Sequence, residues 1–338
     1  MLTADNKKIH FFVKKNQEIK KHGLFNSVNF IIDFLKNEKF KVEINFIDDF
    51  NEIDDILLKS NPDIIIFESI WVPPPKLIQL LCRKENIHKK WIVRIHAKAP
   101  FIANESFSTK WIKKYSYIPN LIIAPNSFDL TNQLKSCFPH GNFLFLPNIY
   151  IEKEIENKIQ TQKDKNCIEI GCFGAIRPLK NHYAQALAAI EFADSINKKL
   201  KFHINSTLIE HQGENVLKNL EELFSNSKHE LIKHPWYSHD DFMKVISNID
   251  IGMQVSLSES FNIITADLIT SKVPVVVSEE IYWMPKFQRT SPTSHADIVN
   301  KLKLIYNFSF LFKILQSLSL QYYCNNAKKT WLKQMNCT

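Results

Sequence analysis

The residues best suited to chemistry lie in one short segment in the second half of the chain. An apolar run there leads into a loop that contains Gly171 and Gly174, followed by Arg177 and Lys180. Glycine lets the backbone approach a ligand closely, and the N-terminus of a following helix presents free N–H groups that favour an anion. The pattern predicts a phosphate site, although a plain strand-to-helix turn with two surface cations fits the same residues.

A second polar segment follows an apolar run and opens another helical stretch. It contains Ser258, Glu259 and Ser260, and Asp267 lies further along the helix. Free N–H groups at the helix start can hold a phosphate. Carboxylates are repelled by a diphosphate, so Glu259 and Asp267 suit the hydroxyls of a donor sugar and of a ribose. Alternatively, Ser258 or Ser260 caps the helix and Glu259 complements its dipole.

In the first half, an apolar run delivers His96 to the end of a predicted strand. An imidazole there can bond to a sugar hydroxyl near neutral pH, and a buried or capping histidine is the alternative. Arg94 is expected on the opposite side of the strand from its two neighbours, so it need not share the site. Asn126, in a later strand-end turn, is a remote candidate for contact with an acceptor.

Alternating strand-like and helix-like segments must position these residues. Strands separated by helices predict parallel, doubly wound sheets, and hence an α/β fold. The strand-like runs lie at 9–13, 42–47, 63–67, 91–95, 121–124, 143–146, 167–173, 201–205, 230–232, 251–255 and 273–277. The helix-like segments lie at 28–35, 183–196, 215–224, 240–246, 263–268 and 314–335.

A polar, charged segment at 151–166 interrupts this alternation and is predicted to be a linker. The chain of 338 residues is long enough for two domains. We therefore predict an acceptor-side Rossmann-like domain at 1–150, a donor-binding Rossmann-like domain at 167–313, and closing helices at 314–338.

Composition narrows the class of protein. With 45% hydrophobic and 23% charged residues, a disordered chain is not expected. Six cysteines without a C-x-x-C pair indicate a reducing compartment, and no apolar leader or membrane-length apolar run is visible, so we expect a cytoplasmic protein. The net charge of +8 fits either a solvated, lysine-rich surface or peripheral docking on an anionic inner membrane face. No nucleic-acid motif accompanies the charge, and nucleic acid is not an expected partner.

Three histidines, His229, His234 and His239, are close in sequence but lack the spacing and thiolate or carboxylate support of a metal site. We therefore expect no metal. The segment at 234–237 is expected to pack beside a nucleotide base.

These segments resemble the donor domain of GT-B fold glycosyltransferases, especially the retaining group called glycosyltransferase family 4. In that family a glycine-containing loop with an Arg and a Lys binds the donor diphosphate. Residues 171–181 (GCFGAIRPLKN) match that loop, with Arg177 and Lys180 as its cations.

The family also carries two glutamates separated by seven residues, in a segment of the type S-x-x-E-x-F-G. Ser256, Glu259 and Phe261 match this segment, Asp267 stands at the second glutamate, and Asn262 stands at the glycine.

Three further similarities have fewer matching residues. The strand at 273–277 resembles the family's G-x-P-V-V segment but has Lys272 at the glycine. Gly23 is the single glycine of a loop that in the family is glycine-rich and faces the donor phosphates. His96 resembles a family histidine that contacts the donor sugar.

The resemblance implies two Rossmann-like domains whose sheets face each other across a cleft. It also implies a hexosyltransferase that uses a nucleotide-diphosphate sugar, acts with retention and without metal or cofactor, and serves a glycan, glycolipid or other acceptor. The implied catalytic residues are His96, Arg177, Lys180 and Glu259. The implied donor-binding residues are Gly23, Gly174, Arg177, Lys180, Ser258, Ser260, Phe261, Asn262 and Asp267.

Two alternatives remain open. The departures from the family pattern suit a catalytically silent nucleotide-sugar-binding protein. A GT-B-like sugar-nucleotide epimerase would use the same cations and would form product without an acceptor.

Overall fold

The computed structural model describes residues 7–15, 23–152 and 164–336. Two compact units are present: unit 1 comprises Met1–Ile151 and Cys324–Thr338, and unit 2 comprises Glu152–Tyr323. Most of the predicted linker at 151–166 lies outside the described residues. Each unit is built on one six-stranded sheet.

The sheet of unit 1 is parallel throughout its recorded pairings. Its strands are β1 (Lys8–Lys14), β2 (Lys41–Ile47), β3 (Ile64–Glu68), β4 (Lys90–Ile95), β5 (Leu121–Pro125) and β6 (Asn142–Phe143). Its helices are α1 (Gly23–Asn37), α2 (Glu52–Ser60), α3 (Pro74–Leu81), α4 (Ala99–Ile102), α5 (Ser108–Ser116) and α6 (Phe128–Cys137). The strand order is β2-β1-β3-β4-β5-β6.

Burial explains why the strands of unit 1 can be predicted from apolar runs in the sequence. Every residue of β3 is buried, as expected for a parallel strand covered on both faces. β6 is shorter than the predicted strand at 143–146. Leu144 and Leu146 still donate to carbonyl groups of β5, and Pro147, which has no N–H, ends the ladder.

The sheet of unit 2 is also parallel. Its strands are β7 (Cys167–Gly171), β8 (Lys199–Asn205), β9 (Glu230–His234), β10 (Ile251–Gln254), β11 (Val275–Ser278) and β12 (Arg289–Thr290). Its helices are α7 (His182–Ser195), α8 (Gly213–Ser225), α9 (His239–Ile246), α10 (Ile263–Thr270), α11 (His295–Asn307) and α12 (Ser309–Asn336). The strand order is β12-β11-β10-β7-β8-β9, so the prediction of two Rossmann-like halves is confirmed.

The strand orders locate the places where each sheet can bind a ligand. In unit 2 the chain order reverses between β7 and β10, which are neighbours in the sheet. In unit 1 the reversal falls between β1 and β3. Doubly wound sheets bind ligands in the crevice outside the carboxyl ends of the strands at such a reversal.

The helix α12 has 28 residues, of which the first belong to unit 2 and those from Cys324 onward to unit 1. Within unit 1, the indole N–H of Trp331 donates to the carbonyl of Pro147 at 2.7 Å, and Lys7 Nζ donates to the carbonyl of Met335 at 3.0 Å. These bonds fix the end of the helix to its sheet. Of the helices described, none has the length and apolar character needed to span a bilayer.

Candidate functional site

The candidate site of unit 2 consists of the loops that follow β7 and β10. The backbone N–H of Leu257 in the second loop donates to the carbonyl of Leu179 in the first, at 2.9 Å. Asn181 Nδ2 donates to the carbonyl of Val255 at 3.1 Å. Because these bonds cross from one loop to the other, two segments far apart in sequence form one surface at the strand reversal.

Lys180 and Glu259 meet at this surface in an ion pair. Lys180 ends a 3-10 turn in the first loop, and Glu259 lies in the second. The residues are only 8% and 9% exposed, respectively. The structure therefore brings together the predicted phosphate-binding lysine and the predicted hydroxyl-binding carboxylate.

The surroundings of Glu259 keep it ionised. Burial by itself would raise the pKa of this carboxyl group. The charges of Lys180 and Arg177 outweigh burial and hold the pKa below its usual range. An ionised carboxylate accepts hydrogen bonds only, which suits binding to sugar hydroxyls.

Gly174 lies directly against Lys180. Its φ angle is +124°, a conformation that favours glycine. A Cβ atom at this position would lie 3.3 Å from Cε of Lys180 and 3.2 Å from Cδ1 of Ile264. The Gly174 N–H donates to Oδ1 of Asn205 at 2.9 Å. The glycine therefore leaves room for the lysine side chain at the end of β7.

Arg177 has a different ion-pair partner from Lys180. Its Nη1 donates to Oε2 of Glu210 at 2.8 Å, and its side chain is 18% exposed. Its charge nevertheless contributes to the lowered pKa of Glu259. The two predicted phosphate-binding cations are thus near the same carboxylate, with the arginine more open to solvent.

His182 is a residue that the sequence reasoning missed. It is the first residue of α7, is 1% exposed, and has no hydrogen-bond partner at either ring nitrogen among the described residues. Burial, together with the charges of Lys180 and Arg177, lowers its pKa to about 3. The imidazole is therefore neutral at neutral pH. Its position directly after the cationic loop was the only signal in the sequence.

Asn262 explains how a missing glycine is tolerated. It is the N-cap of α10 with a φ angle of 59°, and its Oδ1 accepts from the N–H of Thr265 at 2.9 Å. Asparagine tolerates this left-handed conformation better than most residues. Lys272, the other position where the family pattern has glycine, also has a positive φ angle, of 62°. Both departures therefore keep a backbone conformation that glycine would adopt. The alternative in which Ser258 or Ser260 caps the helix is wrong.

The remaining residues of the second loop are anchored in different ways. Ser258 is buried and Ser260 is partly buried. Phe261 stacks on Trp283 and Tyr323 at centroid distances of 5.4 and 5.2 Å, and its carbonyl accepts from the Trp283 indole at 2.8 Å. Phe261 thus fixes the loop to the core of unit 2.

Asp267 lies in α10 and pairs with a histidine. Its Oδ1 is 2.8 Å from Nε2 of His239, at the start of α9. The two side chains are 3% and 14% exposed, respectively. The sequence did not identify His239 as the partner of Asp267, because only the packing of α9 beside α10 brings them together.

The three histidines considered for a metal site have separate partners. His229 Nδ1 accepts from the N–H of Leu200 at 3.0 Å. His234 Nε2 lies 2.8 Å from Nδ1 of His203. His239 contacts α10 as described. Each imidazole is therefore held by its own neighbours.

In unit 1, His96 is part of a buried charge network. Arg94 Nη1 donates to both carboxylate oxygens of Glu68, at 3.0 and 3.1 Å, and His96 Nε2 lies 2.5 Å from Glu68 Oε2. The expectation that Arg94 need not share a site with His96 is wrong. Residues two apart in a strand point to the same face, so both side chains reach the end of β3.

The network fixes the protonation of its members. Burial by itself would raise the pKa of Glu68, but Arg94 and His96 outweigh it and hold the pKa below its usual range. Burial and the charge of Arg94 lower the pKa of His96. The carboxylate is therefore ionised and the imidazole neutral, with its Nε2–H donating to Glu68. The sequence analysis missed Glu68, although it directly follows the predicted strand at 63–67 and ends β3.

Other contacts enclose this network within unit 1. Arg94 Nη2 donates to Oδ1 of Asn148 at 3.0 Å, and Asn126 Nδ2 donates to the same atom at 3.3 Å. The guanidinium carbon lies 5.1 Å from the ring centroid of Trp331. Asn126, the remote acceptor-site candidate, is 1% exposed in this arrangement.

Gly23 lies at the other candidate position of unit 1. It is the first residue of α1, which follows β1, whereas His96 follows β4. Residues 16–22, which include most of the preceding loop, lie outside the described residues. Gly23 therefore belongs to the connection that leaves the strand reversal between β1 and β3.

Comparison with known proteins gives structural matches only. The sequence matches no protein-family model and no curated protein. Among solved structures, a mutant of S. aureus TarM in complex with Fondaparinux, alpha-GlcNAc-glycerol and UDP matches with a TM-score of 0.62 and 15% identity. The match covers 85% of this chain and 58% of the TarM chain.

Two further matches cover nearly the whole of both chains. The apo structure of OtsA matches with a TM-score of 0.70 and 10% identity, over 98% of this chain and 100% of that chain. A UDP-forming alpha,alpha-trehalose-phosphate synthase from Burkholderia xenovorans matches with a TM-score of 0.70 and 10% identity, over 97% and 98%. These proteins are GT-B glycosyltransferases, and this chain has their fold.

Proposed function

We propose that the chain is a glycosyltransferase that moves a sugar from a nucleotide-diphosphate sugar, in the manner of glycosyltransferase family 4. The meeting of Lys180 and Glu259 at the carboxyl ends of β7 and β10 carries this proposal. Doubly wound sheets bind ligands at that position. A cation suits the diphosphate, and the adjacent carboxylate suits the hydroxyls of the sugar. Solved structures of this fold that contain UDP or UDP-2-fluoro glucose support a UDP sugar as donor.

The ion pair suggests how the donor would engage. Entry of a diphosphate would draw Lys180 away from Glu259 and release the carboxylate for the sugar hydroxyls. As the bond between the anomeric carbon and the phosphate oxygen breaks, negative charge develops on the diphosphate. Lys180 and Arg177, already held at the strand ends, would stabilise that charge without large rearrangement.

Three other residues would complete donor binding. Asp267 would accept hydrogen bonds from the hydroxyls of the ribose, and His239 would fix the orientation of its carboxylate. The resemblance assigns His96 to the donor sugar, and the bond to Glu68 fixes which of its ring nitrogens carries the proton.

The proposal also includes retention, transfer of a hexosyl group, and a reaction without metal, in which Arg177 and Lys180 supply the positive charge at the diphosphate. The proposed acceptor is a glycan or a lipid-linked glycan. The proposed location is a cytoplasmic, reducing compartment, which is consistent with the free thiols of the described cysteines. A lipid-linked acceptor would place the enzyme at an anionic membrane face, which the net charge of +8 favours.

The test is a thermal-shift screen of nucleotides and nucleotide sugars, followed by transfer and hydrolysis assays with the best ligand. A ligand that binds only the folded protein raises its melting temperature. We expect Lys180→Ala to lose that shift and to turn over about 10²–10³ times more slowly, as when one preorganised charge-stabilising group is removed.

The matched control is Lys201→Ala, which removes a lysine paired with Glu169 at 2.9 Å in the same unit. This control should keep both the shift and the rate. Full activity of Lys180→Ala would contradict the proposal. Binding without turnover would favour a silent binding protein, and product without acceptor would favour an epimerase.

A further inference from the structure

An apolar stripe covers the outward face of the first half of α12. Phe310, Ile314, Leu318 and Tyr322 follow one another at four-residue intervals and are 78%, 43%, 56% and 73% exposed, with Leu311 beside them at 51%. Residues at this spacing share one side of a helix. The inward face of the same segment is buried, through Phe312, Gln316, Leu320 and Tyr323.

A surface helix normally presents polar side chains to water. This segment instead has apolar side chains both on its buried face and on its exposed face. The stripe continues onto the end of α11 and the short connection after it, where Leu304 is 38% and Phe308 is 54% exposed. A contiguous exposed patch of this kind marks a surface that binds something.

The charge of these helices within unit 2 is positive. Residues 295–323 contain three lysines, Lys301, Lys303 and Lys313, and a single acidic residue, Asp297.

A cavity of about 330 Å³ adjoins the beginning of the stripe. Lys165, Lys198 and Lys313 line it, together with Tyr306. Nζ of Lys198 lies 5.7 Å from the centroid of the Tyr306 ring. Two carboxylates also line the cavity and are bound to backbone N–H groups: Asp164 to Asn166, and Asp250 to Glu169. Three lysines around one cavity suit a phosphate group.

The buried face of the same segment supports the candidate site of unit 2. Tyr323 is on this face, and its ring stacks on Phe261 at 5.2 Å. Phe261 is two residues from Glu259 in the loop after β10. One face of the helix thus packs against the loop that carries the candidate carboxylate, and the apolar stripe lies on its exposed face.

We propose that the stripe and the lysine-lined cavity together form a surface that docks on an anionic phospholipid bilayer. Aromatic and aliphatic side chains enter the interface between headgroups and acyl chains, and the lysines bind lipid phosphates. Charge favours this occupant over a second copy of the chain, because two copies of a lysine-rich face would repel each other. This surface rests on the membrane placement in the proposed function and deepens it, but docking requires no donor and is therefore testable apart from the transfer reaction.

The experiment is co-sedimentation of the full chain with vesicles of phosphatidylcholine alone or mixed with phosphatidylglycerol. We expect binding to the anionic vesicles that weakens as salt is added. The variant Phe310→Ser/Ile314→Ser/Leu318→Ser should bind at least about tenfold more weakly, because apolar burial contributes to interfacial affinity.

The matched control is Ile78→Ser/Ile87→Ser/Tyr117→Ser, which changes three residues of unit 1 that are 48%, 52% and 62% exposed. It should bind like the wild type. A second pair of variants tests the contribution of the lysines separately from that of the stripe. Lys165→Ala/Lys198→Ala should lose about tenfold in affinity for anionic vesicles, whereas Lys36→Ala/Lys59→Ala in unit 1 should not.

Several outcomes would overturn the proposal. Failure of the wild type to sediment with either vesicle would do so, as would a loss of binding in the control variants as large as that in the stripe variants. If light scattering shows a dimer that the stripe variant converts to monomer, and vesicles do not bind, the stripe is an interface between copies. Vesicle binding without any nucleotide-sugar turnover would contradict the proposed function and leave the docking surface intact.

Discussion

Each unit places a carboxylate beside a cation at the end of a parallel sheet, but the two pairs differ in how completely they are enclosed. Glu68 and Arg94 in unit 1 are both 0% exposed, and Arg94 also bonds to Asn148 and lies against Trp331. Lys180 and Glu259 in unit 2 retain 8% and 9% exposure at the strand reversal.

The difference shows what burial does to similar chemical groups. A fully buried ion pair is costly to break, because a lone charge would remain in a low-dielectric interior. A pair at the edge of a crevice can exchange one partner for a ligand. We therefore assign the pair of unit 1 to structure, with His96 at its 17% exposed edge, and the pair of unit 2 to binding.

The sharpest test of this contrast is Arg94→Met. Because the change leaves Glu68 buried without its main cation, we expect the free energy of unfolding to fall by about 3–5 kcal/mol. The control Lys233→Met breaks an ion pair with Glu221 whose side chains are 49% and 45% exposed, and should cost less than about 1 kcal/mol. Urea unfolding at pH 7 measures both, and equal costs would refute the structural assignment.

The pH dependence of unit 2 tests His182. Its pKa is lowered from 6.5 to about 3 in the folded chain, so the unfolded chain takes up the proton first as pH falls. Stability should therefore decrease below pH 6.5, with a loss of about 3 kcal/mol by pH 4.

The lowered pKa values of Glu68 and Glu259 act in the same direction, because their stabilisation is also lost on acidification. The comparison is therefore between the slopes of unfolding free energy against pH for wild type and His182→Leu. The variant should have a shallower slope, and identical slopes would show that His182 is not held neutral by burial.

The loop that carries Glu259 depends on the conformation of Asn262. Asn262→Ala would place a Cβ-bearing residue without a capping group at a φ angle of 59°. Strain and the lost cap together should cost about 2 kcal/mol of unfolding free energy. Both variants also lose the buried bond that Asn262 Nδ2 donates to Oε1 of Gln254 at 2.9 Å. Glycine adopts this φ angle without strain, so Asn262→Gly should cost about 1–2 kcal/mol less than Asn262→Ala. Thermal or urea unfolding separates the two, and a cost for glycine as large as for alanine would remove the conformational explanation.

The smallest expected effect is that of Glu259→Gln on turnover. The amide keeps the size of the side chain but replaces charged hydrogen bonds to the sugar with neutral ones, which differ by about 1–2 kcal/mol. We expect roughly a tenfold loss in kcat with donor binding retained, measured by steady-state transfer. Glu230→Gln, at an exposed pair with Lys199, is the control. An unchanged rate would show that Glu259 does not contribute to the reaction.

The two glycine departures show the limit of sequence comparison. Asn262 and Lys272 read as mismatches in sequence, yet both residues have positive φ angles. Backbone conformation depends on the surrounding packing as well as on residue type. A different residue at the position of a family glycine is therefore weak evidence against that family when the residue has the same backbone conformation.

The sequence by itself determined the alternation of strands and helices and the two-unit α/β fold, because apolar runs and helical periodicity are local patterns. It also identified Lys180 and Glu259 by residue type and position at strand ends. It did not single out α2 to α6, which have ten residues or fewer, or α11, whose apolar residues Ile298, Leu302 and Ile305 do follow a helical spacing.

Only the tertiary structure decided which charges meet. Lys180 pairs with Glu259, and Asp267 pairs with His239. Arg94 pairs with Glu68, which also contacts His96. Each pair joins residues from different strands, helices or loops, so its geometry follows from strand order and packing and not from any local pattern. The exposure of the apolar stripe on α12 has the same origin, since burial is a property of the assembled fold.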